Sequence, residues 1–181
     1  MTTGAAAYTR TAIALHWIAA VLIVCGFSMG LWMTTLAFSP LKFRVYAYHK
    51  WIGITVFLLA CLRLAWRAGH PPPPAVPMPE WQRRTAAMSH AALYVLMLAI
   101  PLSGWIYSSA TGISVVYLGL FTLPDLVDKD KALAAMLLVT HVTLNSVLVV
   151  LVTVHAGAAL RHHLVAKDGL LTRMLPIRPR A

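Results

Sequence analysis

Apolar residues in this chain fall into four long runs, and the polar and charged residues collect in the gaps between them. The runs cover residues 11–34, 48–66, 86–107 and 132–160. A helix rises about 1.5 Å per residue, so about 20 mostly apolar residues cross a bilayer. The pattern therefore predicts an all-α membrane protein, a four-helix transmembrane bundle forming a single domain over residues 1–181. Breakers occupy the gaps. Ser39-Pro40 closes the first, and Pro71 to Pro74 with Pro77 and Pro79 predict a stiff, extended connector between the second and third spans. Pro101 lies inside the third run, where it predicts a kink. The stretch 114–126 is apolar but short and ends at Pro124-Asp125, which reads as an interfacial segment and not a fifth span.

Composition supports lipid as the solvent. Of the 181 residues 60% are hydrophobic and 11% charged, and the mean hydropathy is +0.75, far from the balance of a water-soluble domain. The net charge of +10 raises the question of nucleic acid. The basic residues lie between apolar runs, without a basic stripe or stacking motif, so membrane lipid with anionic headgroups is the expected partner and nucleic acid is not. Four spans put both termini on one side. Arg10, Arg63, Arg67, Arg83, Arg84, Arg161, Lys167, Arg173, Arg178 and Arg180 fall there, against Lys42, Arg44, Lys50, Lys129 and Lys131 opposite. That bias of ten to five predicts cytoplasmic termini. Trp51, Trp66, Trp81, Trp105 and Tyr107 lie near span ends, where interfacial aromatics belong. The first run lacks a cleavage site and is expected to be retained. Cys25 and Cys61 sit within apolar runs and read as buried, inert thiols, and there is no C-x-x-C-H for covalent haem attachment.

Histidine is the anomaly. Five of eight, His16, His49, His90, His141 and His155, lie in or at the edges of spans, where ionisable groups are costly and usually functional. His141 and His155 are 14 residues apart on one helix, nearly four turns, so they share a face with an axial separation of ~21 Å. One helix thus offers a ligand to two stacked sites. No single metal ion bridges that distance, but two haems fit it. On the outer side His49 is the other histidine at matching depth, so it pairs with His141. On the cytoplasmic side both His16 and His90 have the depth to pair with His155, and spacing does not separate them. Gly53, four residues after His49, opens the same helix face beside that ligand. Gly26 and Gly30 form a G-x-x-x-G that serves either helix packing or cofactor clearance. His162 follows His155 by seven residues, on the same face, at the membrane surface. There it is either a solvated base or a proton donor to a lipid-soluble quinone. His70, in the proline-rich connector, reads as loop.

Several stretches together carry a resemblance: Tyr8-Thr9-Arg10 with Leu15-His16-Trp17, His49-Lys50-Trp51-Ile52-Gly53, Arg63-Leu64 with Trp66-Arg67, His90, and Leu98 to Gly104. The longest is His155-Ala156-Gly157-Ala158-Ala159-Leu160-Arg161-His162-His163 with Lys167-Asp168. The chain resembles the prokaryotic cytochrome b561 family, small di-haem b cytochromes of the bacterial inner membrane. It is more distantly similar to the cytochrome b subunits of hydrogenases and formate dehydrogenases. The resemblance implies two non-covalent b haems, with His16 and His155 as axial iron ligands of the cytoplasmic one and His49 and His141 of the outer one. It leaves His90 as a neighbour and places Trp17 and Gly53 beside the cofactors. It further implies a ubiquinone site at the cytoplasmic haem, involving His162, and oxidation of superoxide at the outer face.

The leading expectation is an electron-transfer enzyme, a superoxide:quinone oxidoreductase. Lys42, Arg44 and Lys50 flank His49 and would supply a positive field for a small anionic electron donor. The alternative is an anchor subunit that takes electrons from a redox partner protein, a dehydrogenase or hydrogenase. No extended docking domain is evident for it. A non-redox transporter or scaffold would leave the depths of the histidines unexplained.

Overall fold

The computed structural model describes residues 7–175. Four helices dominate: α1 (Arg10–Thr35), α2 (Pro40–Gly69), α3 (Glu80–Thr111) and α4 (Lys131–Arg161). All four are long and apolar enough to cross a membrane. Between α3 and α4 a short antiparallel hairpin pairs β1 (Val116–Tyr117) with β2 (Phe121–Thr122). After α4 come a π-helical turn, His162–Ala166, and a 3-10 turn, Leu171–Met174.

Capping residues set the helix ends. The Thr9 hydroxyl accepts the Ala12 amide at 3.2 Å and also the Trp66 ring N–H at 3.1 Å, so one residue starts α1 and ties it to the end of α2. Ser39 caps α2, with Pro40 in its first turn. The helix therefore begins eight residues before the apolar run, and the gap between the first two spans shrinks to residues 36–39. His49 stands well inside α2 instead of opening it. Asp130 caps α4 by accepting the amides of Ala132 and Leu133. Helix α3 starts at Glu80, which pairs with Arg83 and Arg84, and it continues unbroken through Pro101, now a buried residue.

Small buried residues let the helices approach. Ala19 and Ala60 are completely enclosed and meet Val56 and Met97 where α1, α2 and α3 converge. Leu96, Ile100 and Leu148 join α3 to α4, and Ala110, Ala134 and Leu137 do so at the hairpin end. Packing follows the chain, α1 on α2, α2 on α3 and α3 on α4, whereas α1–α4 and α2–α4 are not closely packed. The outward faces are apolar, with Val21, Val24, Val139, Val150 and Val154 all exposed as lipid-facing residues should be. Cys25 and Cys61 are exposed as well, which corrects the expectation that they are buried. In a bilayer an apolar run need not face inward, so hydrophobicity did not locate them.

The segment 114–126 contains the hairpin, with Leu118 and Gly119 at positive φ in its three-residue loop, 118–120. It is pinned to α2: the Trp51 ring N–H donates to the Val116 carbonyl at 2.6 Å, and the Thr55 and Tyr117 hydroxyls meet at 2.9 Å. Arg178 and Arg180, counted above in the charge bias, lie outside the described residues.

Candidate cofactor sites at two depths of the bundle

Both expected histidine levels are present. At the hairpin end, the rings of His49 on α2 and His141 on α4 face each other with centroids 6.2 Å apart. At the other end, His16 on α1 and His155 on α4 stand 6.4 Å apart, with His90 on α3 at 5.3 Å from His155. An imidazole nitrogen bonds a metal at about 2 Å, and the ring centre lies roughly 1 Å further, so two rings on opposite sides of one metal have centroids about 6 Å apart. The His49–His141 and His16–His155 pairs match that span, and both bridge helices that do not pack closely. A flat macrocycle needs such a gap.

The rings at the hairpin end are held by backbone. His49 Nδ1 donates to the Gly26 carbonyl at 3.0 Å. His141 Nδ1 donates to the Ile100 carbonyl at 3.1 Å, and the Ser103 hydroxyl lies 3.0 Å from the same nitrogen. A proton fixed on Nδ1 leaves Nε2 with a lone pair, the form a metal ligand requires. Two glycines make the rings fit. A Cβ at Gly104 would stand 3.0 Å from His141 Cε1, and one at Gly30 would stand 3.1 Å from His49 Cε1. Gly53 instead borders open space, with nothing within 4 Å of its missing Cβ. It lines an apolar cavity together with His49, His141, Gly26, Pro101 and Asn145.

At the other level Trp17 packs its edge on His16 at 5.3 Å and donates its ring N–H to the Met174 carbonyl at 2.6 Å. Arg173 donates to the Pro74 carbonyl at 2.8 Å, so the tail is strapped across this end. His162 is no solvated base: its Nδ1 meets Asp168 Oδ2 at 2.5 Å, and both side chains are largely covered. Partial burial pushes the Asp168 carboxyl up, but the hydrogen bond from His162 and the Leu170 amide outweigh it and hold it below its ordinary value. His70 stacks on Trp66 in the connector, away from either pair.

The three cations that flank His49 in the sequence differ. Lys42 donates to the Leu36 carbonyl at 2.8 Å, closing the end of α1, and Lys50 donates to the Ser108 hydroxyl at 2.6 Å. Arg44 is exposed. Sequence reasoning did not single out Ser103, Gly30 or Gly104 as supports of particular ligands, or Asp168 as the partner of His162. Only three-dimensional contacts pair them.

A bilayer-spanning bundle with facing imidazole pairs between its helices is the architecture of a membrane cytochrome b. The chain matches the prokaryotic cytochrome b561 family over residues 7–176. It is 36% identical over 164 residues to cytochrome b561 homolog 2 of Escherichia coli (strain K12), covering 90% of this chain and 87% of that one. Cytochrome b561 homolog 1 of the same organism is 33% identical over 175 residues, 94% and 98% of the two chains. A protein of Yersinia pestis named probable superoxide oxidase CybB is 29% identical over 172 residues, 93% and 96%. The chain therefore belongs to the prokaryotic cytochrome b561 family. It is a multi-pass bacterial membrane protein, an electron-transfer oxidoreductase with b-type haem.

Proposed function

We propose that the chain carries electrons across the bacterial inner membrane, from superoxide at the outer face to ubiquinone at the cytoplasmic face. Two b haems are held, one by His49 and His141, the other by His16 and His155. The observation that carries this reading is the pair of ring separations, 6.2 and 6.4 Å, at two depths sharing one helix. Bound b-type haem supplies a one-electron iron couple. The Lys/Arg bias orients both termini to the cytoplasm, so the hairpin end faces outward.

Each residue then has a task. The Gly26 and Ile100 carbonyls fix the protons on His49 and His141 so that both present Nε2. Helix α4 supplies a ligand at each depth and so fixes their separation. Gly53 and Trp17 border the outer and inner cofactor spaces. Arg44, with the anchored Lys42 and Lys50, provides a positive field that draws in a small anion. Two superoxide anions each give up one electron and leave as oxygen. Ubiquinone takes those two electrons and two protons at the inner level, where His162, oriented by Asp168, donates a proton. The name of the Yersinia pestis relative supports superoxide as donor.

The test is stopped-flow spectroscopy on purified protein with no partner present. Superoxide should reduce the bound haem, and a soluble ubiquinone should reoxidise it. Protein that superoxide leaves oxidised, but that a partner dehydrogenase reduces, would instead be an anchor subunit.

A further inference from the structure

Arg63 is a guanidinium inside a transmembrane helix with no acidic partner. It is half-buried, and among the described residues no carboxylate pairs with it. Its contacts are His16, whose Nδ1 lies 3.3 Å from Arg63 Nη2, and the face of Tyr94, with 5.3 Å from Cζ to the ring centroid. A guanidinium stays charged in proteins, and an unpaired charge at membrane depth is strongly unfavourable. The imidazoles of this site, His16, His90 and His155, bring no negative charge. The site as built therefore calls for an anion.

The position of Arg63 on its helix sharpens the point. It follows His49 by 14 residues, the same interval that separates His141 from His155. Fourteen residues make nearly four turns, so one face of α2 carries His49 at the outer depth and Arg63 at the inner depth. Where α2 gives the outer site a ligand, it gives the inner site a fixed positive charge. The outer ammonium nearest in sequence, Lys50, is already committed to Ser108. A protonation argument agrees. Arg63 donates, so its contact makes His16 Nδ1 an acceptor and puts the ring proton on Nε2. A competing anion on Arg63 would release Nδ1 to take the proton and leave Nε2 free to ligate.

Haem b carries two propionate carboxylates, and a carboxylate is the group a guanidinium fork matches. Building on the two-haem reading, we infer that Arg63 binds a propionate of the inner haem and raises its reduction potential. Pairing that carboxylate removes negative charge that would stabilise the ferric state.

Arg63→Gln and Arg63→Lys in the full-length protein, with redox titration of each haem and haem content per chain, test this. In Arg63→Gln the inner haem should be lost, or retained with a lowered midpoint potential, and the outer haem should be unchanged. Arg63→Lys should restore occupancy and most of the potential. An Arg63→Gln protein with its inner haem at an unshifted potential would overturn the inference, as would an Arg63→Lys protein as impaired as Arg63→Gln. Those results leave the two-haem reading standing. Wild-type protein with a single haem would remove that reading itself.

Discussion

Replacing Gly104 by alanine tests whether His141 is held as a ligand or merely packed. Position 104 lies inside α3, and helix propensity alone would favour alanine there by about 1 kcal/mol. Against that, the new methyl carbon would sit 3.0 Å from His141 Cε1 and 3.3 Å from Nδ1, where carbon contacts prefer about 3.5–4.0 Å. The ring must retreat by roughly 0.5 Å, away from the Ile100 carbonyl that fixes it at 3.1 Å. Weakening that hydrogen bond costs on the order of 1 kcal/mol, so the two effects nearly cancel for the fold. They do not cancel at the site. Metal–ligand distances tolerate about 0.2 Å, well under the displacement. Gly104→Ala should therefore melt near the wild-type temperature by circular dichroism yet lose most of its outer haem, read as haem per chain and as one missing component in the reduced-minus-oxidised spectrum. Gly53→Ala meets no protein atom and should fold normally, so any haem loss there reports on the cavity alone. Full outer haem with an unaltered spectrum in Gly104→Ala would refute the reasoning.

Three other outcomes follow from the same geometry. Neutralising Lys42, Arg44 and Lys50 together should slow the second-order reduction by superoxide severalfold, with added salt shrinking the difference, while reoxidation by quinone stays unchanged. His162→Ala should leave haem reduction intact and slow turnover with quinone about 10²-fold or more, and Asp168→Asn should show a milder form of the same defect; both are read in stopped-flow reoxidation. The Asp168 carboxyl is held below its ordinary value in the folded chain. Its contribution is therefore present at neutral pH, above the unfolded value, and is lost as pH falls through the lowered folded value. Hydrogen exchange at residues 168–174 should accelerate only in that acidic window, and Asp168→Asn should abolish the pH dependence.

The sequence exposed the four spans because lipid demands long apolar runs, and the two depths because a 14-residue interval on a helix leaves little choice. It misplaced the start of α2 because Ser39-Pro40 was read as a breaker. The same dipeptide is a cap followed by a first-turn proline, and residues 40–47, where Lys42 and Arg44 interrupt the apolar pattern, already belong to the helix. Gly30 and Gly104 could not be matched to His49 and His141, since each pair sits on different helices and only packing brings them together. His162 was ambiguous for a related reason. Its proposed role depends on its contact with Asp168 and on the turn at Lys167, whose φ is positive. The choice between His16 and His90 stayed open on spacing. Ring separation favours His16, at 6.4 Å against 5.3 Å from His155, because ligands on opposite sides of one iron need about 6 Å.

Haem content in the five intramembrane histidine variants tests the central claim most directly. Wild-type protein should release two haems per chain into acid-acetone, since no thioether cysteines hold them. His49→Ala and His141→Ala should each lose the outer haem alone, and His16→Ala and His155→Ala the inner haem alone. His90→Ala should keep both. Two haems in His16→Ala together with one in His90→Ala would contradict the ligand assignment, and a single haem in the wild type would contradict the account as a whole.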